Sequence, residues 1–296
     1  MKIPSMMGIG AVVAAMPAML LAQGVATEIQ KRMAAEMQKK IAAAEALPTP
    51  KAPDGHPDLS GYWGAYDLDA LIVQIPKRKI DYTGKQPVTG GGESDELKAD
   101  ATGPKARWAD KSLRPVYKPG LQKKQEDNFI HADFLDPAYR CQPDGVPRLG
   151  APTEILQTRG ATFFLYKGLA GLGNTYRLIS TDGRGHDPDA DAMSMGDSVG
   201  RWDGNTFVID VVNFSPDTWI DRDGSWHDEN MHVTERFTRK GNVLHYSVRV
   251  EDPTLFAQPF EPKPTTLVLG PAGKHANEAY PCEEKDQGHM VSDERH

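Results

Sequence analysis

The sequence predicts a mainly β chain whose strands close, or nearly close, into an antiparallel barrel, and three observations carry that expectation. Strand-like apolar runs follow one another from Thr153 onward. Short connections join several of them, and Lys240-Gly241-Asn242 is a tight-turn signal. Apolar and polar residues alternate with period two, most clearly from Met231 to Arg239. A β-sandwich is the alternative architecture for such a chain.

Taken from the start of the chain, Met1-Lys2, the apolar run Ile9 to Leu21 and the small-residue outlet Ala22-Gln23-Gly24 read as a secretory signal peptide over residues 1–24, too short for a membrane anchor. A buried N-terminal helix is the other reading. Residues 25–47 are expected as a helix packed on the domain, with a semi-ordered spacer or a partner-binding helix as the alternatives: Thr27 to Leu47 is rich in Ala, Glu, Lys, Gln and Met, carries an apolar stripe of Ile29, Met33, Met37 and Ile41, and stops at Pro48 and Pro50. Residues 48–150 are rich in Pro, Gly and charge, with Leu59 to Trp63 and Ala70 to Ile75 as short apolar elements. Nothing there builds a core alone, so this region is expected to wrap one, anchored by Trp63, Trp108, Tyr117, Phe129 and Phe134.

Residues 151–296 form the barrel core. Its strands are expected at Thr153 to Gln157, Thr162 to Tyr166, Thr175 to Ser180, Ser198 to Trp202, Thr206 to Phe214, Met231 to Arg239, Val243 to Glu251 and Thr265 to Leu269. Export makes a disulfide between Cys141 and Cys282, the chain's two cysteines, an expected feature, with two separate buried thiols as the alternative. Such a bridge closes a loop of about 140 residues and contributes about 4–5 kcal/mol in the chain-entropy model.

A formal net charge of -7 over 296 residues argues against a nucleic-acid partner. No glycine-rich phosphate loop and no nicotinamide, flavin or haem motif is visible, so no cofactor is expected. Asp187, Asp189 and Asp191 look like the start of a calcium loop, yet Ala192 stands where glycine is required and Ser198 where a bidentate Glu is needed. A zinc or iron site on His186, His227 and Glu235 lacks any tight ligand spacing. Ser198 in Gly196-Asp-Ser-Val-Gly200 matches a nucleophile elbow in letters only, with no helix pattern after it.

The chemistry-bearing stretch is Tyr176 to Arg239, where Asp182, Arg184, His186, Asp197, Asp210, His227, His232 and Glu235 stand among apolar runs. Ionisable groups that dense among strands point to a lined pocket. Alternation puts Glu235 on one face with Val233 and Phe237, and therefore inward; the alternative to a catalytic role is an ion pair with an interior arginine such as Arg184, Arg201 or Arg249. Asp210 groups with Val208 and Val212, either as a second interior carboxylate or on the wet face. His186 and His227 lie in Gly-containing turns beside Asp and are the candidate bases. Glu235 or Asp210 would orient the imidazole or protonate a leaving group, and Arg184 would stabilise developing oxyanion charge. Trp202, Trp219, Trp226 and Tyr246 are the candidate substrate-binding surfaces.

Asp182-Gly-Arg-Gly-His186, Gly196-Asp-Ser-Val-Gly-Arg-Trp-Asp-Gly-Asn-Thr-Phe-Val-Ile-Asp210, Thr218-Trp219, His227 and Glu235-Arg-Phe237 resemble a large, mostly uncharacterised group of exported bacterial proteins. Pro57 to Trp63, Cys141 to Arg148 and Cys282-Glu-Glu284 are similar to the same group. The resemblance implies export and a lipocalin-like barrel, and carries no reaction. The expected function is that of a periplasmic enzyme acting on a small, partly apolar or aromatic molecule by acid and base catalysis, as a lyase, isomerase or hydrolase. A non-catalytic carrier of a hydrophobic molecule is the rival, and an envelope protein assembling through the residue 25–47 helix is a third reading.

Overall fold

A computed structural model describes residues 32, 35–63, 108, 110–167 and 175–277. The chain is mainly β. One sheet holds the strands in chain order: β1 Gly61–Tyr62, β2 Glu154–Thr158, β3 Ala161–Tyr166, β4 Thr175–Ser180, β5 Asp197–Asp203, β6 Thr206–Val212, β7 His232–Lys240, β8 Val243–Glu251 and β9 Thr265–Val268. Neighbours are antiparallel except β4 and β5, which run parallel and share the single register Ser180↔Val199. The sheet curls into a half-barrel instead of stacking as two layers. Among the described residues its edges meet at one backbone hydrogen bond, Gly270 N to Tyr62 O at 2.8 Å. The two edge strands are short, β1 having two residues and β9 four.

The strands form where β-branched and aromatic residues alternate in burial. In β7, Val233, Glu235, Phe237 and Arg239 are buried while Thr234, Arg236 and Thr238 face outward. Phe207, Ile209 and Val211 of β6 and Leu244, Tyr246, Val248 and Val250 of β8 join the same concave face. Trp63 closes the core from the N-terminal side, fully buried, with its indole N–H donating to Leu59 O at 2.7 Å. Burying such side chains contributes about 1.5–3 kcal/mol each.

Helix α1, residues 35–45, docks by its C-terminal end on the β7–β8 turn. Asn242 N donates to Ala44 O at 3.0 Å, and Glu45 meets His245 at 2.7 Å. Gly241 is needed there twice over: its φ is 55°, and a Cβ would lie 2.3 Å from Ala44 O. Two further helices, α2 Gln122–Ile130 and α3 Ala132–Leu135, interrupt the wrapping region. Periodicity does not announce α2, because much of the face it docks is polar. Its buried Asn128 donates to Gly224 O at 3.0 Å, and buried Gln125 donates to Ser225 Oγ at 3.2 Å.

The expected signal segment, Ala70 to Ile75 and Cys282 lie outside the described residues. Cys141 carries no free thiol. Among the described residues no helix is long and apolar enough to cross a membrane.

Candidate functional site

Inside the curl, Arg177 of β4 reaches Glu235 of β7. Alternation in Thr175–Ser180 turns Arg177 and Ile179 to the concave face, opposite Glu235, which has 0% of its surface exposed. Arg177 Nη1 lies 2.5 Å from Glu235 Oε2, and Arg177 Nε donates to Ser198 Oγ of β5 at 2.8 Å. The Tyr246 hydroxyl of β8 donates to Glu235 Oε1 at 3.0 Å. Arg177 and Glu235 thus form a buried ion pair, and the buried Tyr166 hydroxyl lies against the same guanidinium. A charge held away from water needs such a partner, and here the two signs are balanced inside the curl. Burial, reinforced by the Glu235 charge, pushes the Tyr246 phenol well above its ordinary value and keeps it a proton donor.

Tyr246 and Val248 run from this cluster into a cavity of about 390 Å³ at the open end of the half-barrel, walled by Pro147, Arg148, Ile220, Asp221, Phe260 and Lys263. Its apolar walls and few polar groups suit a small organic molecule. The Asp221 carboxylate accepts the amides of Asp223 at 2.8 Å and Ser225 at 3.1 Å through Oδ1, while Oδ2 is buried without a partner. Burial pushes its pKa up against those hydrogen bonds. Arg148 forks onto Asp136 with two 2.7 Å hydrogen bonds and places Nε 3.1 Å from Asp144. Burial opposes the Arg148 cation, but the hydrogen bonds it donates to Asp136 and the charges of Asp136, Asp144 and Asp221 outweigh it.

A second network lies on the outer face. Asp210 shares its face of β6 with Thr206 and Val212, opposite buried Phe207, Ile209 and Val211, so it is not an interior carboxylate. Its two oxygens meet His186 Nε2 at 3.1 Å and His232 Nε2 at 2.6 Å. His186 Nδ1 lies 2.9 Å from Asp197, which also accepts from Arg184 at 3.3 Å. Arg184 is held further by Ser180 Oγ at 2.7 Å. Partial burial works against charge on Asp197 and Asp210, yet hydrogen bonds from His186, and from His232 for Asp210, hold both carboxyls below the usual range. Neither nitrogen of His186 is left free.

His227 belongs to neither group. It is buried, with Nε2 2.8 Å from Thr218 Oγ1 and Nδ1 3.0 Å from Asp228 O. The carbonyl can only accept, so Nδ1 carries the proton and Nε2 accepts from the Thr218 hydroxyl. Burial pushes the His227 pKa below 6.5, so the unfolded chain takes up a proton before the folded one does. Its contribution is full above the unfolded value and shrinks as pH falls from there toward the folded value. Thermal melts at about pH 7.5 and about pH 5 are expected to show a smaller acid loss for His227→Gln than for the unaltered protein. Equal losses would remove His227 from the acid response.

His186, His227 and Glu235 thus sit in three separate hydrogen-bond networks, and none of them lines the cavity. Of the expected ligand surfaces, Tyr246 lines it. Trp219 and Trp226 bridge each other in the core, with Trp226 stacked on Tyr117 at 4.0 Å, and Trp202 stands at the opposite end of the sheet. Glu235 does form an interior ion pair, but its partner is Arg177. Arg184 is in the outer network, Arg201 is exposed, and Arg249 pairs with Glu251 and Glu261. Arg177 was discoverable from its alternation with Ile179. Asp221 and Arg148 lie in loops, where no period marks them. Among the described residues no group of three or more His, Cys, Asp or Glu side chains is arranged to hold a metal ion. Comparison with known proteins finds no matching family model, no similar curated protein and no similar solved structure.

Proposed function

We propose that this is an exported enzyme that takes a small, partly apolar or aromatic molecule into the concave-face cavity and moves a proton on it, as a lyase, isomerase or hydrolase. The observation that carries the reading is a cavity-wall residue, Tyr246, hydrogen-bonded to a carboxylate with no solvent exposure, Glu235, which is charge-balanced by Arg177. Tyr246, whose O–H is committed to Glu235, presents its oxygen to the cavity as an acceptor and orients the substrate. Asp221, at the cavity wall with a raised pKa, is the acid or base, and Lys263 offers charge to an anionic group. The fold is read as lipocalin-like on the strength of the single curled sheet with its opening at one end. Export is read from the N-terminal segment and the Cys141–Cys282 pair.

A fragment library screened by thermal shift identifies molecules that bind, and mass spectrometry after incubation shows which are altered. Asp221→Asn is expected to lower turnover of such a hit by about 10²- to 10⁴-fold while leaving its binding within about threefold, and Tyr246→Phe to lower turnover by about tenfold. Hits that bind through these residues and are recovered unaltered would support the carrier reading, which the apolar walls Ile220, Val248 and Phe260 favour.

A further inference from the structure

A second cavity, of about 960 Å³, lies at the other end of the half-barrel, between β5, the β2–β3 turn and the N-terminal segment 51–60. It exists because β5 continues to Asp203 after its single register with β4 at Val199, while the chain beyond Ser180 departs through Thr181 and Gly183. The opening left beside β5 is flanked by residues 51–60 instead of by a strand. One wall is a ring pair, with His56 stacked flat on Trp202, centroids 4.7 Å apart and planes within 3°. Trp202 in turn leans on Phe207 at 5.2 Å. The aromatic surface is therefore held rigid before any ligand arrives.

Charge in this cavity opposes the sign of the whole chain. Lys51, Arg159 and Arg201 line it against Asp54 and Asp58, on a protein of formal net charge -7. Lys51 is held by Asn205 Oδ1 at 3.4 Å, and the two carboxylates accept nearby backbone amides, from His56 at 3.0 Å and Ser60 at 2.8 Å. Arg159 and Arg201 have no hydrogen-bond or ion-pair partner among the described residues, and both are exposed. Gly160 and Gly183 leave the wall open between them: a Cβ at Gly183 would meet nothing within 4 Å. Two unengaged planar forks beside a flat ring surface match a ligand that is itself flat and ends in a carboxylate. Among the described residues no helix N-terminus lines the cavity to favour a tetrahedral phosphate over a planar anion.

We propose that this cleft binds a small aromatic carboxylate, its ring against the His56–Trp202 wall and its carboxylate on Arg159 and Arg201. The site is separate from the concave-face cavity and stands independently of the function assigned there.

The test uses the full chain with 2-naphthoate as probe, followed by calorimetry. Saturable binding is expected, weakened at least about tenfold by Arg159→Gln combined with Arg201→Gln, by Trp202→Leu, and by replacing the probe with neutral 2-naphthamide. Lys263→Gln, which removes the cation that would hold a carboxylate in the other cavity, should leave naphthoate binding unchanged. The proposal is overturned if naphthoate does not saturate, if the amide binds as tightly, if the double arginine variant binds normally while circular dichroism shows it folded, or if inorganic phosphate competes as well as the aromatic acid.

Discussion

Glu235→Ala is expected to destabilise the fold by about 3–5 kcal/mol, because it leaves the Arg177 guanidinium buried without a counter-charge. Arg177 is 2% exposed, and its remaining hydrogen bond, to Ser198, does not neutralise it. At that depth the loss is little softened by solvation. In a chain of this length that corresponds to a fall of roughly 10 °C in Tm. Urea unfolding of Glu235→Ala, Arg177→Met and the pair together reads the coupling. The double variant should recover much of the loss, since two apolar side chains avoid the unpaired charge. A single-variant cost below about 1 kcal/mol would show that the pair is solvated and that the interior is not closed.

The second large effect is expected at Arg148. Its side chain joins Asp136 and Asp144, both almost wholly buried, at the rim of the concave-face cavity. Arg148→Ala is expected to cost about 3–5 kcal/mol near neutral pH, because two carboxylates are left facing each other with Asp221 nearby. The pH dependence gives a sharper reading. Burial already raises the Asp144 carboxyl against the pull of Arg148, so without the cation it binds its proton still more tightly folded than unfolded, and the variant regains stability as pH falls toward the unfolded value near 3.8. Denaturant midpoints at about pH 7 and about pH 4 should therefore differ from those of the unaltered protein far more at the higher pH. A loss independent of pH would assign the damage to lost packing of the Arg148 stem.

The hairpins were open to inspection in the sequence because burial and alternation coincide in them. Thr175–Ser180 and Val243–Glu251 have the ends that their patterns predict, and Glu235 points inward as Val233 and Phe237 require. Asp210 shows the limit of that logic. Val208 and Val212 beside it are apolar, yet their face is the outer one, where Val208 is covered all the same. Apolar neighbours therefore do not distinguish the two faces of a strand whose outer side is also partly covered. Helix α2 escaped for the opposite reason, since Gln125 and Asn128 are buried by hydrogen bonds and leave no greasy stripe. The rim of the cavity was hidden because Arg148 and Asp221 meet through chain segments far apart in sequence, and only the tertiary fold brings them together.

A ribbon of nothing but hairpins would have two rims of much the same character. Here one strand is laid down the other way, and the chain must climb the outside of the sheet between Ser180 and Asp197 before it can begin again. The climb lays His186 across Asp210, tying the returning segment to the wall behind it. The overshoot of the new strand leaves a notch, and Trp202 stands in it. From this one reversal the molecule acquires unlike poles: one mouth edged by acids gathered round a single guanidinium, the other by arginines with nothing to hold.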